Sequence, residues 1–375
     1  MLVSFLSICY NGVQSTVFRR KFRGASPYKG DLEDMGKVSA FLKRKNVLFS
    51  AKRYGIDAMG AMAQGLFASL LIGTIIKTLG QQLNVQFLID AGNFAQQVAG
   101  PAMAVSIGAA LSAPQLVLYS LIAVGMAANK LGGAGGPLAV YFITIVASEC
   151  GKIVSKETKV DILVTPAVTI LVGVGLSVLC APAIGAAASS VGDFIKWATN
   201  LQPLLMGILV SVVVGMALTL PISSAAICAA LSLTGLAGGA AVAGCCAQMV
   251  GFAVISFREN RWGGVVAQGL GTSMLQMGNI CKKPQIWIAP TLAAAVCGPL
   301  STMLFKLQCT GINAGMGTCG LVGPIGIITD TDKTPLMWIG VVLCCIVLPA
   351  ALSFVFNEIL RLIGLVKTGD MKLDI

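Results

Sequence analysis

The 375 residues are 56% hydrophobic and 11% charged, against roughly 45–50% apolar and about 25% charged in ordinary soluble domains. Mean hydropathy is +0.86, and no charge falls between Asp161 and Asp193, Lys196 and Arg258, or Lys333 and Glu358; each gap holds the ~20 apolar residues of a bilayer-spanning helix, which excludes a soluble globular domain. The absence of histidine and of any Cys-x-x-Cys pair argues against imidazole zinc sites, histidine acid–base chemistry and a phosphoryl-accepting imidazole, so no metal, cofactor or catalytic residue is expected.

The formal charge of +11 sits mostly before the first span, in Arg19, Arg20, Lys21, Arg23, Lys29, Lys37, Lys43, Arg44, Lys45, Lys52 and Arg53. Basic residues there mark the cytoplasmic side of a bilayer with anionic lipid. No aromatic platform or groove-reading motif accompanies them, so nucleic acid is not an expected partner. Residues 1–53 read as a basic cytoplasmic segment, of which 1–34 form a dispensable extension, 54–366 as the membrane domain, and 367–375 as a cytoplasmic tail.

In chain order, 57–79 reads as the first span, carrying Gln64 among small close-packing residues. Residues 81–97 are amphipathic and amide-rich, hence interfacial. Residues 98–128 read as a second span interrupted by Pro101 and Pro114, and 131–153 as a re-entrant element or third span holding Glu149, whose partner one turn on is Lys152. The latter pair is expected at an interface. Residues 162–188 form a long span and 189–202 an interfacial helix; 204–220, 222–236 and 239–257 follow as three spans separated by Pro221 and Gly238-Gly239. The loop at Arg258-Glu259-Asn260-Arg261-Trp262 is basic and solvated, so the positive-inside rule puts it in the cytoplasm. The pattern predicts an all-α, polytopic helical membrane protein with 8–10 transmembrane helices and both termini cytoplasmic.

Two charge-poor stretches stand out between apolar segments: 268–279, rich in glycine, hydroxyl and amide groups, and the glycine-rich 311–324. Glycine-loosened backbone survives in a bilayer only where protein or a water-filled cavity satisfies it, so both read as re-entrant hairpins. Gly-Pro pairs at 100–101, 136–137, 298–299 and 323–324 fall two in each half, as in carriers built around broken helices. Gln268, Thr272, Gln276, Asn279, Asn313 and Thr318, with Gln64 from the first span, are the expected site. Uncharged groups that both give and accept hydrogen bonds suit hydroxyl-bearing neutral solutes such as sugars. Gln276→Ala is expected to weaken sugar binding by about 1–3 kcal/mol. The competing reading of any one such residue is interhelical glue.

Residues 54–73 (Tyr54-Gly55-Ile56-Asp57-Ala58-Met59-Gly60 onward), Arg258-Glu259-Asn260-Arg261-Trp262-Gly263-Gly264, Gly269-Leu270-Gly271-Thr272-Ser273-Met274-Leu275-Gln276 and Gly315-Met316-Gly317-Thr318-Cys319-Gly320-Leu321-Val322-Gly323 carry a resemblance. The chain resembles the EIIC-like membrane proteins of the phosphotransferase system, in the single-domain branch with perfringolysin O regulator-like proteins, over about 36–366. The resemblance implies a sugar permease subunit of a phosphoenolpyruvate-dependent system in the cell membrane. It also implies a homodimer and phosphoryl transfer by separate EIIB and EIIA proteins. The chain departs from sugar-transporting EIIC proteins in lacking their histidine, and Gly326-Ile327-Ile328-Thr329-Asp330 matches their Gly-Ile-Thr-Glu segment only in part. The alternative reading is accordingly a membrane regulator or sensor on the same scaffold, and the third an ion-coupled secondary transporter.

Overall fold

The computed structural model describes residues 40–373, so the expectation for residues 1–34 lies outside the described residues. Of the described residues, 40–48 belong to a unit of their own, in which Arg44 and Lys45 stand over the Phe41 ring, 5.1 and 5.7 Å from its centroid. The unit from Phe49 onward holds the membrane helices and, among the described residues, no strand.

Helix α1, Arg53–Leu83, widens into single π-turns at Arg53–Asp57 and Phe67–Leu71. Asn84, in the left-handed conformation (φ 55°), ends it, and α2 (Gln86–Gln97) folds back along its second half. Glycine makes this contact possible, since a Cβ on Gly92 would lie 2.5 Å from the Gly73 carbonyl oxygen.

The expected single span over 98–128 is instead an antiparallel pair, α3 (Ala99–Ala110) and α4 (Gln115–Gly132). Ser112 turns at φ 53° and Pro114 has no N–H to continue a helix. Gly100 and Gly125 bring the two backbones together, each Cβ position lying 2.4 Å from the other residue's carbonyl oxygen. A further reversal at Gly133 (φ 50°, ψ −121°) leads into α5, Gly136–Val154, which returns along α4 with Gly151 against Val117. Glu149 and Lys152 pair at 2.8 Å, but in the interior rather than at an interface, with side chains 10% and 1% exposed.

Residues expected as a span plus an interfacial helix form one 39-residue helix, α6, Asp161–Thr199. Its Leu163, Leu171 and Leu179, eight residues apart, are about three-quarters exposed. That spacing makes one apolar stripe, the face suited to lipid. Of the three spans expected next, only α9 (Gly235–Ile255) is long enough to cross. α7 (Pro203–Thr219) is shorter, and the segment after Pro221 is a seven-residue helix, α8 (Ser224–Ala230), capped by the Ser223 hydroxyl on Ala226 N–H. Beyond α9 come α10 (Phe257–Val266), α11 (Met277–Lys282), α12 (Pro284–Leu304), α13 (Val322–Asp330) and α14 (Pro335–Leu362).

Among the described residues six segments are long and apolar enough to cross a membrane, one being the folded-back 115–154; three shorter apolar helices, at 99–110, 203–219 and 319–330, accompany them. The protein is thus an all-α, polytopic membrane chain. Two large apolar cores, with two small ones, hold the described residues together. One gathers α1, α3, α4 and α5 with parts of 252–289 and the tail; the other gathers the end of α6 with α7, α9, α12 and α14.

Candidate functional site

Between α9 and α12 the chain forms only short or kinked helices. α10 is kinked at Arg261 (φ 51°, ψ −151°), and a π-turn at Ala267–Gly271 ends at Thr272, which is extended. A short 3₁₀ turn, Ser273–Gln276, and α11 follow. The Thr272 hydroxyl accepts from Met274 N–H (3.1 Å), holding the break. Gly271 is required here, because a Cβ would lie 2.3 Å from the Phe67 ring of α1. At the inner end, the Ser273 and Thr219 hydroxyls bond at 2.7 Å, and Thr219 donates to Gln248 (3.3 Å), tying the break to α7 and α9.

These bends bring three of the predicted residues into one chain of amides. Gln268 Nε2 donates to Ser256 Oγ (2.8 Å) and to the Gly264 carbonyl (3.1 Å). Gln268 Oε1 accepts from Gln276 Nε2 (3.0 Å), and Gln276 Oε1 from Asn279 Nδ2 (2.8 Å). Gln268 and Gln276 are wholly buried and Asn279 nearly so. Each buried amide therefore has partners, which spares the ~1–3 kcal/mol cost of an orphaned one.

The same amides hold the C-terminal tail. Gln276 Nε2 and Asn260 Nδ2 donate to the Met371 carbonyl (3.0 and 2.8 Å), and Asn279 Nδ2 to that of Lys372 (2.8 Å). Asn260 Oδ1 accepts from Leu373 N–H (2.8 Å). Glu259 accepts from the N–H groups of Gly369 and Met371 (2.9 and 2.8 Å) and from Arg361 (3.4 Å). Its side chain is only 3% exposed, which corrects the solvated-loop reading of Glu259.

A cavity of about 280 Å³ opens beside this cluster, between α1 and α11. Its polar walls are Asp57, Gln64, Asn279, Lys282 and Lys372, and Ile56, Leu275 and Leu373 supply apolar surface. Asp57, Gly60, Ala61 and Gln64 recur at i, i+3, i+4 and i+7, so one stripe of α1 faces the cavity. That spacing was the signal that could have added Asp57 to the predicted set. Nothing comparable marks Lys282, Lys372, Glu259 or Asn260, which only the fold brings here.

The other predicted residues divide. Gln64 lines the cavity. Thr318 donates to the Gly269 carbonyl, so the two glycine-rich stretches meet through it. Thr272 caps the turn rather than facing the cavity. Asn313 lies apart, on the 3₁₀ turn Gly311–Gly315, packed near Gly326 and outside the cavity lining.

The family model described as "Phosphotransferase system, EIIC" matches residues 56–373, from the cavity stripe of α1 to the last described residue of the tail. The chain belongs to the EIIC family. Among curated proteins, none matches it. This EIIC protein is thus a membrane component of a sugar phosphotransferase system, a family that works on sugars with EIIB partners. The matched span takes in the broken 257–283 segment, the second glycine-rich stretch and the tail together.

Proposed function

We propose that this EIIC protein binds a neutral sugar in the cavity between α1 and α11 and passes it to a separate EIIB protein for phosphorylation. The cavity itself supports the reading. A carboxylate and two amides can receive and donate to ring hydroxyls, while Ile56 and Leu275 offer apolar surface. About 280 Å³ lies just below the roughly 300–1,000 Å³ typical of ligand sites, which favours one sugar ring over an oligosaccharide. Gln64, Asn279 and Asp57 contact the sugar; Gln268 and Gln276 hold Asn279 in place. The end of the bundle that carries Arg258, Lys282, Lys283, Arg361, Lys367 and Lys372 faces the cytoplasm, by the positive-inside rule, and there EIIB docks. A homodimer belongs to the same proposal and rests on the family resemblance.

The test is titration calorimetry of the purified protein against a panel of neutral mono- and disaccharides. Asp57→Asn is expected to weaken the sugar that binds by about 10- to 150-fold, the ~1.5–3 kcal/mol of a hydrogen bond to a charged group. Asn313→Ala, outside the cavity, is expected to leave affinity unchanged. Absence of binding across the panel, or equal losses in both variants, overturns the assignment.

A further inference from the structure

We infer that residues 366–373 form a detachable strap that occupies the amide cluster in place of ligand and must leave for the sugar to bind fully. The inference rests on the sugar-site reading above and adds its regulation. The strap is read through its backbone: Gly369 N–H, Met371 N–H and carbonyl, the Lys372 carbonyl and Leu373 N–H are all bonded to Glu259, Asn260, Gln276 or Asn279. Its own side chains contribute two buried apolar anchors, Val366 and Met371, 2% and 0% exposed. Asp370 adds only a loose pair with Lys283 at 3.8 Å and a turn bond to Lys367 N–H.

Three features make this a strap rather than a fixed wall. The Asn279 amide hydrogen it uses belongs to a side chain that lines the cavity, so a sugar hydroxyl and the Lys372 carbonyl compete for it. Lys372 and Leu373 line the cavity itself, so departure of the strap opens one of its sides. The strap is joined to α14 through Gly364 (φ 81°), beside which a Cβ would meet nothing within 4 Å, and turns again at Gly369 (φ 100°) under the same conditions. Positive φ at glycine costs little, and open space at both points lets the segment swing. Four of the six hydrogen bonds join neutral groups and contribute a small net gain each; the two to Glu259 are stronger, and water can replace all six when the strap leaves.

The test compares the full-length protein with Met371→Asp, which removes the larger anchor and leaves the cavity-lining side chains of α1 and α11 in place. A chain ending at Gly364 serves if that variant does not fold. Hydrogen exchange at the amides of Gly369, Met371 and Leu373 reports docking, and calorimetry with the sugar identified on the panel reports binding. The expected result is protection of those amides in the sugar-free protein, loss of it at saturating sugar, and sugar binding about tenfold tighter in the released variants. Unprotected amides in the sugar-free protein overturn the strap. So does equal or weaker binding by both released variants, an outcome that leaves the sugar site standing. If no sugar binds any of the three proteins, the sugar reading falls, and protected amides then mark a fixed wall.

Discussion

Lys152→Met is expected to destabilise the protein by about 3–5 kcal/mol, the cost of leaving a buried charge without its partner. Glu149 and Lys152 lie one helical turn apart on α5, 2.8 Å from each other, both nearly sealed from solvent. Lys152 also donates to the Leu111 carbonyl (3.1 Å), the carbonyl Arg53 reaches too, at the break after α3. A helix end leaves such carbonyls without intrahelical partners, so this lysine neutralises one group and caps another. Removing it strands the Glu149 carboxylate among apolar helices. Thermal unfolding in detergent, read against Glu149→Gln and the Glu149→Gln/Lys152→Met double variant, checks the prediction. The double variant is expected to recover most of the loss, because replacing both members of a buried pair is often neutral. A double variant as unstable as the sum of the singles would show that the pair is not coupled.

Gly244→Val is expected to cost about 1–3 kcal/mol or more through overpacking, because α7, α9 and α12 meet backbone to backbone. A Cβ on Gly244 would lie 1.9 Å from the Ser211 carbonyl oxygen, and one on Gly298 2.1 Å from that of Gly207. Main chain cannot rotate aside as a side chain can, so the helices must separate. Close approach of small residues is how membrane helices gain contact when lipid removes the hydrophobic drive to associate. The matched control is Gly175→Ala on α6, where a Cβ meets nothing within 4 Å. It is expected to be neutral or to stabilise by up to about 0.5–1 kcal/mol, since alanine loses less backbone freedom in a helix. Unfolding midpoints of the two variants should move in opposite directions or only the first should fall.

The strap also changes what Gln276→Ala would report. Its amide bonds Gln268, Asn279 and Met371, so the substitution disturbs the holder of the strap as well as the support of Asn279. Any effect on sugar affinity arrives through those neighbours.

Much of the protein was legible in the order of its residues. Charge-free gaps, apolar runs and glycine-rich polar stretches are local properties, and the bilayer makes them decisive, because backbone in lipid must satisfy itself. The all-α membrane class lay within such signals, the pairing of Glu149 with Lys152 in their spacing, and the family in the resemblance of whole motifs. Gln268, Gln276 and Asn279 were grouped as one expected site, but not as a chain of amides. Chain reversal did not. Residues 98–128 have the apolar length of one span, and the turn at Ser112 and Pro114 becomes a hairpin by the packing of Gly100 on Gly125. Pro166 and Pro182, by contrast, sit inside an unbroken α6. The tertiary structure alone moved Glu259 from a basic loop to a buried acceptor and brought residues 369–373 onto side chains 93 to 113 positions earlier. No periodicity encodes a contact between a tail's backbone and distant side chains. Backbone groups are the same at every residue, so such a contact is decided where the fold places them.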